Sequence, residues 1–193
     1  MTIAVGCIVG STSSVSINRK LLNGVIALER ERDVGEEDAM EFIDIPINHL
    51  PLYTYDADDD YPPEALELKD AISRSDALII ATPEYNRSIP GALKNAIDWA
   101  SRPYGESAFT GKPVGIVGAS VGAPGTAMAQ QHLRNILAYL DAPTLGQPEI
   151  YVQYTEERFA GDGTIIDAST RELLGDWLTA LRDWIGRVAH DRA

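Results

Sequence analysis

The chain has 193 residues, 45% of them hydrophobic and 23% charged, with 29 acidic against 16 basic side chains and a formal net charge of −13. That suits one globular domain over 1–193 that needs no cross-links, and excludes a disordered chain. The acidity excludes a nucleic-acid partner, no apolar run reaches the ~18 residues of a membrane insertion, and the lone Cys7 excludes an internal disulfide.

Thr2–Val9 is a short run rich in Ile and Val that predicts a buried strand. Met1–Gly10 has no basic head, so it reads as structure and not as a leader, and the protein is expected in the cytoplasm. A hydroxyl cluster, Ser11-Thr12-Ser13-Ser14, follows Gly10. Ile17, Leu21, Leu22, Val25 and Ile26 then mark one face of a helix with Ser16 as its N-cap. Met40–Ile47 predicts a second strand, Asn48–Tyr61 a loop, and Pro62-Pro63 the start of a helix to about Arg74. Ala77–Ala81 is uninterruptedly apolar, as in a strand buried on both faces of a parallel sheet.

A loop at Pro83–Pro90 leads into a helix over Gly91–Ala100. Pro113–Val117 predicts a strand, Gly118–Gly125 a glycine-rich turn, Thr126–Leu140 a long helix and Thr144–Val152 a fifth strand. Leu173, Leu174, Trp177, Leu178, Leu181, Trp184, Ile185 and Val188 stripe the last helix, with Ser169 and Glu172 as a capping box. Five alternations of strand and helix predict an α/β fold, a doubly wound parallel sheet with helices on both faces. Ligands of such sheets sit at the carboxyl ends of the strands, which directs attention to the loops after strands one, three and four.

The first loop offers hydroxyls at a helix N-terminus, where backbone N–H groups and the helix dipole favour an anion. A capped polar surface loop is the plainer reading. Gly105, Gly111 and Lys112 only superficially suggest a phosphate loop, since the spacing is one residue too long and Pro113 stands where a hydroxyl is needed. No G-x-G-x-x-G occurs. The aspartates 56 and 58–60 lack the glycine and glutamate of a calcium loop, His49, His132 and His190 share no ligand spacing, and no metal site is expected. Cys7 reads as a small buried apolar residue.

Three segments together carry a resemblance. Gly10–Asn18, the run Pro83-Glu84-Tyr85-Asn86-Arg87-Ser88-Ile89-Pro90-Gly91-Ala92-Leu93-Lys94-Asn95-Ala96-Ile97-Asp98-Trp99, and the Gly118–Gly125 turn resemble the NAD(P)H-dependent FMN reductases of flavodoxin-like fold. That family includes quinone, azo and chromate reductases. The resemblance extends from Ile3 to about Leu140. It implies a five-stranded sheet in the order 2-1-3-4-5, bound FMN, and NADPH or NADH as co-substrate. It also implies a small-molecule electron acceptor (quinone, flavin, azo compound or oxidised metal) and a homodimer or homotetramer. The resemblance further implies hydride transfer from nicotinamide C4 to flavin N5, so no side chain is expected to act as acid or base.

On this resemblance Ser11, Ser13, Ser16, Ile17 and Asn18 hold the phosphate. Pro83, Glu84, Tyr85, Asn86 and Ser88 lie along the flavin ring, and Ser120 and Gly122 close its far side. The family's phosphate-loop arginine falls at Ser13, a departure that bears on affinity. Two other readings compete. One is a flavodoxin-type electron carrier without NAD(P)H oxidation. The other is a serine hydrolase, because Gly118-Ala119-Ser120-Val121-Gly122 matches G-x-S-x-G, with Asp141 or Asp167 and His190 as its nominal partners.

Overall fold

The structure, a computed structural model, describes residues 2–32 and 39–190. Strands β1 (Ile3–Val9), β2 (Met40–Asp44), β3 (Ala77–Ala81), β4 (Val114–Ser120) and β5 (Ile150–Gln153) form one sheet in the order β2-β1-β3-β4-β5, every pair parallel. The helices are α1 (Ile17–Arg30), α2 (Pro63–Arg74), α3 (Gly91–Ala100), α4 (Ala127–Tyr139) and α5 (Ala168–His190). This is the flavodoxin-like arrangement expected.

Alternate residues of the buried strands serve two cores. Val5, Cys7, Val9, Ile79 and Val117 pack under α1 and α5 with Leu21, Leu22, Trp177 and Leu181. Ile8, Leu78, Ile80, Val114 and Ile116 pack under α2, α3 and α4 with Leu68, Leu93, Trp99 and Leu133. A strand covered on both faces has no polar side, which is why β3 reads as a continuous apolar run. Cys7 is 1% exposed and burial pushes its thiol up to about 12, as befits a small core residue.

Several boundaries moved. β2 ends at Asp44 and not at Ile47, because Pro46 has no N–H for the ladder; Ile45 makes one more bond, donating to Cys7 O at 2.9 Å. β4 runs on to Ser120 through Gly118 and Ala119, because β5 pairs with Val117–Ser120. β5 is shorter than expected: Thr144 makes only an isolated bridge to Val114, and Pro148 interrupts before Ile150. α4 begins after Thr126, whose φ of 74° is left-handed. The capping box at Ser169 and Glu172 is replaced by Asp167, which accepts from Thr170 N at 2.7 Å and Ser169 Oγ at 2.5 Å. Those bonds hold its carboxyl down to about 2. Leu173 lies on the exposed side of α5.

Candidate functional site

At the carboxyl edge of β1, β3 and β4 the structure forms a pocket of about 250 Å³. It brings together Ser11, Ser13, Ser16, Ile17, Asn18, Pro83, Glu84, Tyr85 and Ser120, and adds Val15, Ala119 and Val121. Asn86 and Ser88, expected along the ring, and Gly122, expected on its far side, are not among the residues that line it. A second cleft of about 470 Å³ adjoins it across the hydroxyl loop, sharing Ser11, Ser13, Val15 and Ser16.

The hydroxyl loop is folded by its own side chains. Ser11 Oγ accepts from Ser13 N at 3.3 Å, Ser13 Oγ from Val15 N at 3.3 Å, and Ser16 Oγ caps α1 by accepting from Arg19 N at 3.2 Å. A hydroxyl that accepts a backbone N–H keeps its own proton to donate elsewhere. The first intrahelical bond runs from Lys20 N to Ser16 O at 3.1 Å, so the amides of Ile17 and Asn18 precede the ladder. Together these are the donors of a neutral anion cradle.

The side chain of Asn18, a residue expected at the phosphate, is engaged within the fold. Its Nδ2 donates to Ala119 O and its Oδ1 accepts from Ala119 N, both at 2.9 Å, in a residue 1% exposed. This two-bond clamp fixes the start of α1 to the end of β4, and so sets the distance between the hydroxyl loop and Ser120.

Loop 83–90 is built differently. Tyr85 and Ser88 exchange backbone bonds of 2.9 and 3.0 Å around Asn86 and Arg87, whose φ angles of 52° and 63° make a tight type I′ turn. Asn tolerates the left-handed region better than most residues, which accounts for Asn86 without any ligand. Glu84, expected along a ring, lines the pocket, and its Oε2 accepts from Met128 N and Ala129 N, both at 3.1 Å. It thereby caps α4, whose own Thr126 makes no side-chain cap. At the other end of the loop Ser88 Oγ is hydrogen-bonded to His132 Nδ1 at 3.0 Å. The rest of the motif is scaffolding: Asn95 Nδ2 and Trp99 Nε1 both donate to Pro51 O, at 2.8 and 2.7 Å, and Lys94 pairs with Asp98.

Two glycines, Gly118 within β4 and Gly122 in the loop after it, differ in kind. A Cβ on Gly118 would lie 2.0 Å from Thr126 Oγ1 and 2.7 Å from Thr82 O, so the chain itself demands glycine there. A Cβ on Gly122 would meet nothing nearer than Ser120 Oγ at 3.6 Å. Gly122 therefore leaves open space beside the pocket, as close approach of a flat ligand requires. Neutral donors at a helix N-terminus on one side and a small-residue edge on the other fit a planar group carrying a phosphate.

The comparisons agree. The model of the NADPH-dependent FMN reductases matches residues 3–157. The chain belongs to the NADPH-dependent FMN reductase family. It is 43% identical to a 2-hydroxy-1,4-benzoquinone reductase of a Burkholderia species over 96% of this chain and 97% of that one. It is 42% identical to an NAD(P)H-dependent FMN reductase of Pseudomonas aeruginosa over 93% of each. Among solved structures, the flavoenzyme NAD(P)H:(acceptor) oxidoreductase FerB of Paracoccus denitrificans superposes with a TM-score of 0.87 at 40% identity, covering 96% of this chain and 98% of that one.

As a member of the family the chain is an NAD(P)H-dependent oxidoreductase with FMN as cofactor. A carrier without NAD(P)H oxidation is not favoured, and neither is a hydrolase. The geometry explains the latter. Ser120 Oγ accepts from Gly122 N at 3.1 Å, His132 serves Ser88, Asp167 caps α5, and His190 is exposed at the end of α5. Among the described residues no group of three or more His, Cys, Asp or Glu side chains is placed to hold a metal ion, and no helix is long and apolar enough to cross a membrane.

Sequence reasoning missed Val15 and Val121. They are 76% and 74% exposed and, with Tyr85 at 54%, form an apolar rim around polar walls. The available signal was a valine standing alone in a hydroxyl loop and another in a glycine turn.

Proposed function

We propose that this reductase passes electrons to a quinone, and that the pocket between loops 11–16, 83–90 and the end of β4 is where FMN and acceptor meet. The observation that carries the reading is the exposed rim of Val15, Tyr85 and Val121, apolar surface suited to a flat, uncharged ring. FMN, when bound, supplies the two-electron chemistry between reduced nicotinamide and acceptor. The chain contributes placement. Ser11, Ser13 and Ser16 hold the phosphate, and the amides of Ile17 and Asn18 add to them. Pro83, Glu84, Tyr85, Asn86 and Ser88 supply the edge beside the ring, with Glu84 and Ser88 keeping the loop in place. Ser120 and Gly122 border the far side.

In this reading 1–193 is one FMN-binding unit, cytoplasmic because its nicotinamide co-substrate is an intracellular pool. It is a homodimer or homotetramer, supported by Tyr104 and Tyr139, which are 84% and 78% exposed around one cleft. Oxidation of NADH and NADPH should be followed with benzoquinones, azo dyes, free flavin and ferric chelates as acceptors. The reading expects benzoquinones to give the highest kcat/KM, and equal or better turnover of any other class would overturn it. Sedimentation velocity tests the assembly, for which a monomer is the contrary result.

A further inference from the structure

The hydroxyl loop is neutral, whereas a phosphate monoester carries close to two negative charges at pH 7. In a chain of net charge −13, a cation near that loop decides how firmly the group is held. Among the described residues no Lys or Arg lines the flavin pocket, but the adjoining cleft, which shares Ser11, Ser13 and Ser16 with it, is lined by Arg19 and Lys20. Lys20 serves the fold, with Nζ donating to Gly161 O at 2.6 Å. Arg19 is held differently. Its Nη1 pairs with Oδ1 of Asp44 at the end of β2, and the two side chains are 38% and 57% exposed. Exposed pairs of this kind are weak and exchange readily for a better partner.

We propose that Arg19 is the cation that neutralises the FMN phosphate, leaving Asp44 for the phosphate when the cofactor binds. The inference rests on the reading that loop 11–16 holds that phosphate. The backbone of Arg19 is fixed, because its amide donates to the Ser16 cap at 3.2 Å, so only the side chain has to swing within the cleft. A dianion is a stronger partner for a guanidinium than one carboxylate, and the planar fork accepts two phosphate oxygens at once. Asp44 keeps the guanidinium at the mouth of the loop and competes for it.

Riboflavin lacks only the phosphate, so it isolates the contact. The full chain is loaded with FMN or with riboflavin and serially diluted, and flavin release is read by fluorescence, with circular dichroism to verify folding. Arg19→Ala should weaken FMN about tenfold and leave riboflavin unchanged. Asp44→Asn should tighten FMN several-fold, again without touching riboflavin. Wild-type affinity for FMN should fall with added salt, and Arg19→Ala should lose that dependence. Equal weakening of both flavins by Arg19→Ala, or no effect on FMN, overturns the proposal. So does a raised KM for NADPH but not NADH with FMN unaffected, which would place the cation at the nucleotide's 2′-phosphate. Wild-type chain that holds riboflavin as tightly as FMN would overturn the phosphate reading of the loop itself. If Arg19→Ala does not fold, Asp44→Asn and Arg19→Lys carry the test, and unchanged FMN affinity in Asp44→Asn counts against it.

Discussion

Loop 83–90 is tied to the molecule across 44 residues of chain, by Glu84 to the first turn of α4 and by Ser88 to His132. Loop 11–16, on the other side of the same pocket, is folded by hydroxyl bonds that reach two or three residues. The first is fixed by tertiary structure, with a turn whose backbone is left-handed at two positions. The second is local and solvent-exposed at Thr12, Ser13 and Ser14. On the proposed placement of FMN, with its ring against loop 83–90 and its phosphate at loop 11–16, the contrast follows from what each side would do. Orienting a ring for transfer tolerates little displacement, whereas a phosphate is held by charge and by several interchangeable donors. Substitutions on the ring side should therefore cost stability or occupancy, and those on the phosphate side should shift affinity and salt dependence.

The largest effect is expected at the seam of β4 and α4. Gly118→Ala drives a methyl into Thr126 Oγ1 and Thr82 O, and overpacking of this kind costs about 3 kcal/mol, or ~6–12 °C in Tm. Gly122→Ala should leave stability unchanged to within ~0.5 kcal/mol while weakening flavin binding, since a methyl there meets the chain only at ordinary contact distance, 3.6 Å from Ser120 Oγ. Thermal melts with and without flavin separate the two. An equal fall in Tm for both would mean that the ring side makes no demand of its own at Gly122.

Asn86→Pro comes next. Proline fixes φ near −65°, whereas the turn requires 52°, so the Tyr85–Ser88 pairing is lost. Flavin occupancy should drop while helical circular dichroism stays native, and Asn86→Gly should be neutral or slightly stabilising. Full occupancy in the proline variant would show that loop 83–90 does not support the ring.

Glu84→Ala removes the acceptor at the start of α4 and should cost about 1–2 kcal/mol in urea unfolding. Glu84→Gln keeps an acceptor oxygen and should recover about half of that. An alanine variant as stable as wild type would mean the cap does not hold the loop.

On the phosphate side the effects are smaller and electrostatic. Ser13→Arg should tighten FMN severalfold in wild type and about tenfold in an Arg19→Ala background, at low salt only. Equal gains in both backgrounds would show that Arg19 does not already serve the phosphate. The smallest change is expected of Ser120→Ala, which loses one bond, from Gly122 N, worth ~1 kcal/mol; NADPH oxidation should stay within about tenfold. Collapse of turnover with flavin still bound would give Ser120 a chemical role.

The doubly wound parallel sheet, the buried strand β3, the Ser16 cap and the loops after β1, β3 and β4 were legible in the residues, because periodicity, capping and strand burial are local or depend only on pattern. The family resemblance added the strand order 2-1-3-4-5 and the nature of the ligand. The sequence could not show that Glu84 caps α4, or that Asn18 clamps Ala119 across 101 residues. Nor could it show that Asn95 and Trp99 both anchor Pro51 O. Each is a polar side chain whose choice of partner depends on which backbone groups the fold leaves unpaired nearby. That is settled only when distant segments pack, which is also why Gly118, read as the start of a turn, proved to be strand interior.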